Sequence, residues 1–182
     1  MIKTNIFANH FLVAMPQLDD LTFAQSVIYL SEHDIKGALG IIINKPLQVN
    51  IGSVLEHLKI ESDRIDISDQ PVLMGGPIGQ EHGFIIYENY LAKESLEISV
   101  SASKVMLENI AKNKGPDNFL ITLGYSGWEA GQLEKEIAHN DWLIVPFDRS
   151  ILFETPIKKR WQKAASLIGI DINRLSDQIG HA

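Results

Sequence analysis

The stretch NFLITLGYSGWEAGQLEKEI, residues 118–137, runs from an apolar segment through several glycines into an amphipathic pattern. Its first seven residues, NFLITLG, are rich in apolar and β-branched side chains and predict a strand. Residues 128–139 predict a helix, because their apolar side chains recur three or four positions apart and would share one face. Gly124 and Gly127 favour a tight turn between the two elements. The stretch therefore predicts a strand, a turn and a helix in close succession.

The serine within GYSGW raises the question of nucleophilic catalysis. A nucleophile elbow places a serine on a strand-to-helix turn, with small residues two positions before and two positions after it. Gly124 satisfies the first position, but Trp128 stands at the second, where glycine is expected. The histidines that follow Ser126 are His139 and His181, and neither is well placed to act as its base. Ser126 is therefore a weak catalytic candidate, and the alternative is a structural turn after which Trp128 opens the helix and packs into the core.

The segments on the N-terminal side predict strands joined in hairpins. Residues 10–15 form an apolar run, and residues 26–46 contain two β-rich runs around the polar turn EHDIKG. Asn50 is a suitable N-cap for residues 51–58, whose apolar side chains recur with helical spacing. The first third of the chain thus combines a hairpin with a short amphipathic helix.

The remaining segments alternate between strands and helices. The predicted elements are an extended run from Pro71, strands over 83–89, 95–101 and 142–147, a helix from Ser101 or Ser103 to about residue 112, a helical turn over 148–153 and a helix over 156–168. Evenly spaced βαβ units are missing, so a doubly wound sheet is disfavoured. The pattern predicts a single α+β domain spanning residues 1–182.

Length and composition restrict the class of protein. A chain of 182 residues buries about 70% of its unfolded surface, so it needs no covalent staples. It contains no cysteine, which excludes disulfides and thiolate metal sites and suits a reducing compartment. The apolar run near the N-terminus stops at Pro16 and is too short for a signal peptide or a membrane span. We therefore expect a cytoplasmic protein that does not associate with membranes.

The charge pattern bears on nucleic-acid binding. The net charge is −7, although the segment KKRWQK, residues 158–163, carries four cations and no acid. An acidic body repels phosphate, so any DNA binding would depend on this one segment. A solvated helix face is the simpler interpretation. Direct nucleic-acid binding is therefore not expected, and a DNA-binding regulator that uses residues 158–163 remains an alternative.

Other chemical motifs are sparse. MGGPIG resembles a phosphate-binding loop only in its glycines, and a glycine–proline turn between strands explains it better. The six histidines show no metal-ligand spacing, so we expect no metal and no cofactor. The acidic residues that could serve as acid or base do not stand out from ordinary surface charge; they are Asp19, Asp20, Glu134 and Glu136.

Several blocks, taken together, resemble the YqgE/AlgH family of bacterial proteins, some of which carry the label of transcriptional regulator. The resemblance covers nearly the whole chain. It rests on HFLVAMPQLDDLTFAQSVIYLSEHDIKGALGIIINKP, VLMGGPIGQEHGF, GYSGWEAGQLEKEI, the tryptophan of NDWLIVPFD, and the C-terminal ILF and RW. Any one block alone is a weak signal, whereas their combination is specific. The resemblance implies a mixed, bifurcated β-sheet that closes into a pseudo-barrel with flanking helices.

The resemblance also bears on the site residues. The family pattern commonly has alanine at the position of Ser126, and alanine cannot attack a carbonyl. Lys45 and His82 stand where the family usually has arginine, so the planar fork that could clamp an anion is missing at both positions. The candidate functional surface combines these residues with the two glycine blocks: Lys45, Gly75, Gly76, Pro77, His82, Gly124, Tyr125, Ser126 and Gly127.

Three classes of function remain open from the sequence. The first is a non-catalytic regulatory or interaction protein that binds a protein or small-molecule partner, acting on transcription indirectly if at all. The second is a hydrolase with Ser126 as its nucleophile. The third is the DNA-binding regulator. The acidic body and the incomplete triad favour the first, so the chain is more readily interpreted as a binding protein than as an enzyme.

Overall fold

The computed structural model describes residues 6–90 and 96–179, which form nine strands and six α-helices. The strands are β1 (His10–Ala14), β2 (Val27–Asp34), β3 (Gly37–Ile42), β4 (Pro46–Asn50), β5 (Pro71–Met74), β6 (Ile78–Tyr90), β7 (Leu96–Ser101), β8 (Phe119–Glu129) and β9 (Trp142–Pro146). The helices are α1 (Ile51–His57), α2 (Lys104–Ala111), α3 (Gln132–Ala138), α4 (Arg149–Phe153), α5 (Arg160–Ser166) and α6 (Ile172–Ile179), with a 3-10 turn at Ile157–Lys159. The predicted α+β class is confirmed.

Most predicted elements are present, because the turn and capping residues that predicted them form the expected turns and caps. β2 and β3 form the predicted antiparallel hairpin, which turns at residues 35–36. The Asn50 side chain accepts a hydrogen bond from the Ser53 backbone N–H at 2.8 Å and so caps α1. Ser103, one of the two predicted caps, caps α2. α6 was not predicted, and it follows directly on the segment where the last helix was expected to end.

The central sheet is mixed and is buried on both faces where β1 and β2 lie. Phe11, Val13, Val27 and Tyr29 face one hydrophobic cluster, which α4 and α5 cover, whereas Leu12, Ala14, Ile28 and Leu30 face a second cluster beneath α3. Because both faces are covered, these strands read as continuous apolar runs without alternation. A third cluster lies between α1, α2 and strands β5, β6 and β8.

Strand β8 is the member that divides the sheet. Its first half pairs with β5 in parallel and with β6 in antiparallel, whereas its last four residues, Ser126 to Glu129, pair with β3. From there the order continues through β2 and β1 to β9. The bifurcated sheet that the family resemblance implied is therefore confirmed.

Closure of the sheet into a pseudo-barrel is not observed, and this expectation is corrected. Among the described residues, β4, β7 and β9 each pair with a single neighbouring strand, so three sheet edges remain. The physical reason is the division at β8: one branch follows β3 and the other follows β5 and β6. Because the two branches separate at β8, their outer strands β4, β7 and β9 do not pair with one another within the described residues.

The boundary between strand and helix after Gly124 was predicted wrongly. β8 continues to Glu129 and α3 begins only at Gln132, so Trp128 lies in a strand and does not open a helix. From Gly124 to Glu129 buried and less buried residues alternate, as in a half-buried strand. Glycine and serine have too little apolar surface to make this alternation visible in the sequence.

Trp128 is buried, as predicted, and it pairs with a second tryptophan. The rings of Trp128 and Trp142 meet edge to face with centroids 6.2 Å apart. Both indole N–H groups donate to the same carboxylate oxygen of Glu136, each at 2.8 Å. Glu136 was expected to face water, but it satisfies two buried donors and ties α3 to β8 and β9.

The two glycines of MGGPIG lie against β8 at the division of the sheet. The Gly75 N–H donates to the Leu123 carbonyl at 2.7 Å, and the Gly75 carbonyl accepts from the Ile42 N–H at 2.8 Å. Gly75 therefore joins both branches. A Cβ atom at Gly76 would lie 2.1 Å from the carbonyl carbon and oxygen of Tyr125. Only a residue without a side chain allows the two backbones to approach this closely.

We expect Gly76→Ala to lower the free energy of unfolding by at least about 3 kcal/mol, because the atoms it meets belong to the backbone and cannot rotate away. Urea denaturation of the purified variant measures this loss. Gly131→Ala is the matched control: a Cβ there has open space, although its φ of +73° carries a strain of about 1–2 kcal/mol. Equal losses in the two variants would contradict the close approach as the origin of the effect.

Candidate functional site

Ser126 lies in the interior of the protein and not on an exposed turn. The residue has no exposed surface, and its hydroxyl donates to the Gly75 carbonyl at 3.3 Å. It sits in the middle of β8, so the strand-to-helix turn that a nucleophile elbow requires is missing. His139 lies on the exposed end of α3, with its Nδ1 2.7 Å from the Lys135 carbonyl oxygen. His181 lies outside the described residues. Among the described residues, the geometry therefore gives Ser126 a structural partner and no base.

The glycine blocks of the candidate surface are brought together by the fold. Gly75 and Gly76 lie against Gly124, Tyr125 and Ser126, and the backbone atoms of the two segments are in direct contact. Pro77 follows on the exposed side, before β6 begins. Gly127 is exposed on β8, and the nearest side chains to a Cβ at that position would be those of Ile78 and Tyr125. The residues of the two glycine blocks therefore serve mainly to let the strands pack closely against each other.

The two positions where the family usually has arginine occupy different surroundings. The Lys45 carbonyl accepts from the Met74 N–H at 2.8 Å, one residue before Gly75. The Lys45 side chain lines a polar pocket with Gln25 and Lys158. His82 is exposed, and its Nδ1 lies 3.0 Å from Oε1 of the neighbouring Glu81. The side chains of Lys45 and His82 are therefore engaged with separate groups of residues.

The basic segment 158–163 is not a single cationic face. Arg160 is only 4% exposed, and its guanidinium donates to the carbonyls of Ile43, Leu152 and Thr155. Burial lowers its pKa to about 10, which keeps it charged at neutral pH. Lys158 faces the pocket that contains Lys45, whereas Lys159 and Lys163 line a neighbouring cleft. Three exposed cations remain, and they point into two separate depressions.

Two further acidic candidates also have structural partners. Glu134 lies 2.9 Å from the Nε2 atom of the buried His33, and its pKa is lowered, first by a backbone hydrogen bond and then by His33. The Asp20 carboxylate accepts from the backbone N–H groups of Thr22 and Phe23 at 2.8 and 2.9 Å. Among the described residues, no group of three or more His, Asp or Glu side chains is arranged to hold a metal ion.

The structure also contains an apolar groove that the sequence did not indicate. The groove has a volume of about 490 Å³ and lies between α1, β6 and the start of α2. Its floor is formed by Ile85, Leu107, Ile121 and Leu123, and its margin includes Val49, His57, Leu58, Glu81 and Lys104. Leu58 was recognised in the sequence only as the last apolar residue of the α1 pattern. These residues come from four separate segments of the chain, so no local motif could have grouped them.

The comparisons with known proteins agree with this architecture. A family model described as AlgH-like matches residues 11–173. The chain belongs to the AlgH-like family. A UPF0301 protein of Coxiella burnetii strain Dugway 5J108-111 is 71% identical over 182 residues, which is the full length of both chains. A UPF0301 protein of Nitrosococcus oceani is 44% identical over 181 residues, covering 97% of each chain.

Two solved structures superpose on this chain over nearly its full length. The solution structure of AlgH from Pseudomonas aeruginosa superposes with a TM-score of 0.76 at 40% identity and covers both chains completely. A crystal structure from Corynebacterium diphtheriae has a TM-score of 0.75 at 19% identity, with 97% of this chain and 94% of that chain covered, which shows the shared fold alone. The family prediction is confirmed. The names of these two UPF0301 proteins state no biochemical activity.

None of the helices within the described residues has the length and apolar character needed to cross a membrane.

We expect Ser126→Ala to cost only about 1 kcal/mol of stability, because the Gly75 carbonyl keeps its bond from Ile42 when the hydroxyl is removed. Any biological activity should be unchanged. In the native wild-type protein, a fluorophosphonate probe should leave Ser126 unmodified, since the hydroxyl is not accessible. Mass spectrometry of the peptide that contains residue 126 measures the labelling. A modified Ser126 in folded protein would contradict the structural assignment of this residue.

Proposed function

We propose that this AlgH-like protein is a non-catalytic, cytoplasmic regulatory or interaction protein that binds an apolar segment of a partner protein in the groove between α1, β6 and α2. The observation that carries the proposal is the groove itself, with an apolar floor and a margin that bears charged side chains of both signs. Sites that recognise ligands are concave and mostly apolar, with a few polar groups at their edge. The absence of cysteine suits a reducing compartment such as the cytoplasm.

The margin of the groove favours a protein partner over a small molecule. Val49 and Leu58 at the margin are 38% and 37% exposed. Exposed apolar side chains beside an apolar depression extend the contact area beyond the cavity. A small ligand would fill the groove and leave this margin in water. A protein segment would cover the floor and the margin together.

The backbone of β6 supplies a second feature that suits an extended segment. The pairing of β6 with β8 shifts between Ile78 and Gly83, where five residue steps on β6 correspond to two on β8. Residues 79–82 therefore have no register partner in β8. Gln80 and Glu81 of this bulge line the groove. An extended peptide could form main-chain hydrogen bonds there while its side chains enter the apolar floor.

The charges at the margin of the groove indicate which side chains the partner segment presents. Lys104 is opposite in sign to Glu81, and the ion pair between Lys104 and Glu108 is loose, with 3.9 Å between Nζ and Oε1. Exposed charges at a rim contribute more to orientation and association rate than to affinity. We infer that the partner presents two or three apolar side chains flanked by charged residues. Transcription would be affected through that partner and not through DNA contact.

The other two classes of function find less support. Hydrolysis at Ser126 would require the serine to leave its buried position and to acquire a base. Sequence-specific DNA binding would require a basic element that enters a groove, whereas Arg160 is committed to backbone carbonyls and the three lysines are divided between two depressions.

Site-specific photocrosslinking in cells tests the groove. We expect a benzophenone amino acid at position 58 or position 49 to crosslink to the same partner protein, because both positions border the groove. The same amino acid at Ile65, which is 90% exposed and is not part of the groove lining, should not give this adduct. The crosslinked protein is then purified and its affinity is measured by calorimetry.

The calorimetric step decides the outcome. Leu58→Glu should weaken binding at least about tenfold, because a charge replaces an apolar contact at the interface. Ile65→Glu, the matched control, should leave the affinity unchanged. Identical adducts from all three positions, or an affinity that Leu58→Glu does not alter, would contradict the groove as the binding surface.

A mobility-shift titration against duplex DNA tests the DNA-binding alternative. We expect no association at physiological salt beyond the non-specific range, with dissociation constants of roughly 10⁻⁴ to 10⁻⁶ M. Only Lys158, Lys159 and Lys163 of the basic segment are exposed, which is too few for a specific site. Nanomolar binding that resists competitor DNA and disappears in the Lys159→Glu, Lys163→Glu double variant would overturn this expectation and the interaction-protein proposal with it.

A further inference from the structure

A second depression, which we call the lysine pocket, lies where the start of β2, the link from β3 to β4, and helices α5 and α6 meet. It has a volume of about 530 Å³, and the polar residues of its lining that matter here are Gln25, Lys45, Lys158, Gln162 and Asn173, with Trp161 as an apolar wall. The lining contains two lysines and no acidic residue. This composition is notable in a chain whose net charge is −7.

The two lysines lack direct counterions. Neither Lys45 nor Lys158 forms an ion pair within 4.0 Å with any residue in the described part of the chain. Lys45 is partly buried, and burial lowers its pKa, while the nearest acidic influence, Asp20, acts in the opposite direction. A partly desolvated ammonium group gains when an anion approaches it, because its charge is poorly solvated in the free protein.

The walls of the lysine pocket are held in place by hydrogen bonds. The Asn44 side chain accepts from the Val27 N–H and donates to the Gln25 carbonyl, both at 2.8 Å. These bonds fix Gln25 in the left-handed backbone region, with a φ of +55°. On the opposite side, Arg160 ties the Ile43 carbonyl to the segment that precedes α5. The backbone that carries the pocket walls therefore needs little reorganisation to bind a ligand.

The hydrogen-bond donors in the lysine pocket indicate the chemical class of its ligand. The Gln162 amide donates to the Asn173 side-chain oxygen at 3.1 Å, which leaves the Asn173 amino group directed to other acceptors. The Trp161 indole N–H is committed to the Ala14 carbonyl at 2.8 Å, so its ring offers an apolar surface and no donor. Two ammonium groups and side-chain amides are suited to a compact oxyanion.

We propose that the lysine pocket binds a small molecule that carries a phosphate or carboxylate group, with Lys45 and Lys158 as the charged contacts. The volume admits a metabolite-sized ligand. The site is separate from the apolar groove, since the two linings share no residue. Binding here is independent of the partner proposed for the groove.

NMR titration of the full-length ¹⁵N-labelled protein tests the site. Inorganic phosphate, pyrophosphate and citrate are each added at constant ionic strength. Sodium chloride at the same ionic strength is the control for shifts that screening alone produces. We expect saturable shifts in the backbone signals of residues 25, 45, 158 and 173 and in the indole signal of Trp161. Pyrophosphate should bind more tightly than phosphate if a phosphate ester is the ligand, and citrate should bind most tightly if it is a carboxylate.

Charge-neutralising variants identify the contacts. Lys45→Gln and Lys158→Gln should each weaken the affinity at least about tenfold, the usual scale of a lost charge-assisted hydrogen bond. Lys114→Gln removes the same charge from an exposed lysine outside the pocket and should have no effect. Lys45→Arg should retain binding, because it keeps the charge and the donors. Lys158 is exposed, so its variant folds even if replacement of Lys45 perturbs the backbone near β4.

Three results would overturn the proposal. The first is the absence of saturable shifts with any of the three anions. The second is an affinity that Lys114→Gln reduces as much as Lys158→Gln does, which would indicate general screening. The third is a set of shifts confined to the cleft that contains Lys159 and Lys163. None of these results would bear on the crosslinking from the groove, so the two proposals fail separately.

Discussion

The close approach of Gly75 and Gly76 to β8 is the contact on which the rest of the fold depends. Gly75 hydrogen-bonds to β8 through its N–H and to β3 through its carbonyl, so it joins the two branches at the point where they separate. Side chains at these positions would collide with backbone atoms of Gly124 and Tyr125. The Ser126 hydroxyl adds a third bond to the same glycine. A divided sheet needs such a junction, because backbone groups at the division must find partners away from water.

This junction changes how the prominent motifs of the family are interpreted. Glycine-rich blocks beside an apolar strand suggest phosphate loops or catalytic elbows, yet here their glycines allow backbones to touch. The serine that invites a catalytic interpretation serves the same contact. Binding surfaces are instead formed at the periphery, where α1 and α2 border β6 and where α5 and α6 border the turn before β2. Helices packed against the outer parts of the sheet leave depressions that the central strands cannot provide.

Buried polar groups explain why the charge pattern misled the sequence interpretation. Arg160 appears as part of a cationic run, but its guanidinium satisfies three backbone carbonyls inside the protein. Glu136 appears as a surface acid, but it accepts from two indoles. Counting charged residues along the chain therefore overestimates the charge that a partner can contact. Of the basic segment, three lysines remain exposed, and they are divided between two neighbouring depressions.

The sequence by itself determined the α+β class, the first hairpin, the caps of α1 and α2 and the apolar runs of β1 and β2, because each depends on side-chain periodicity or on a local hydrogen bond. It also identified the family, since many blocks had to match together. Only the tertiary structure decided that β8 extends through Trp128, that the sheet divides without closing, and that Lys45 lies beside Lys158. The physical reason is that these features depend on pairing between distant segments. Small residues at the division of the sheet carry no periodic signal, and a pocket assembled from four segments has no local pattern in the chain.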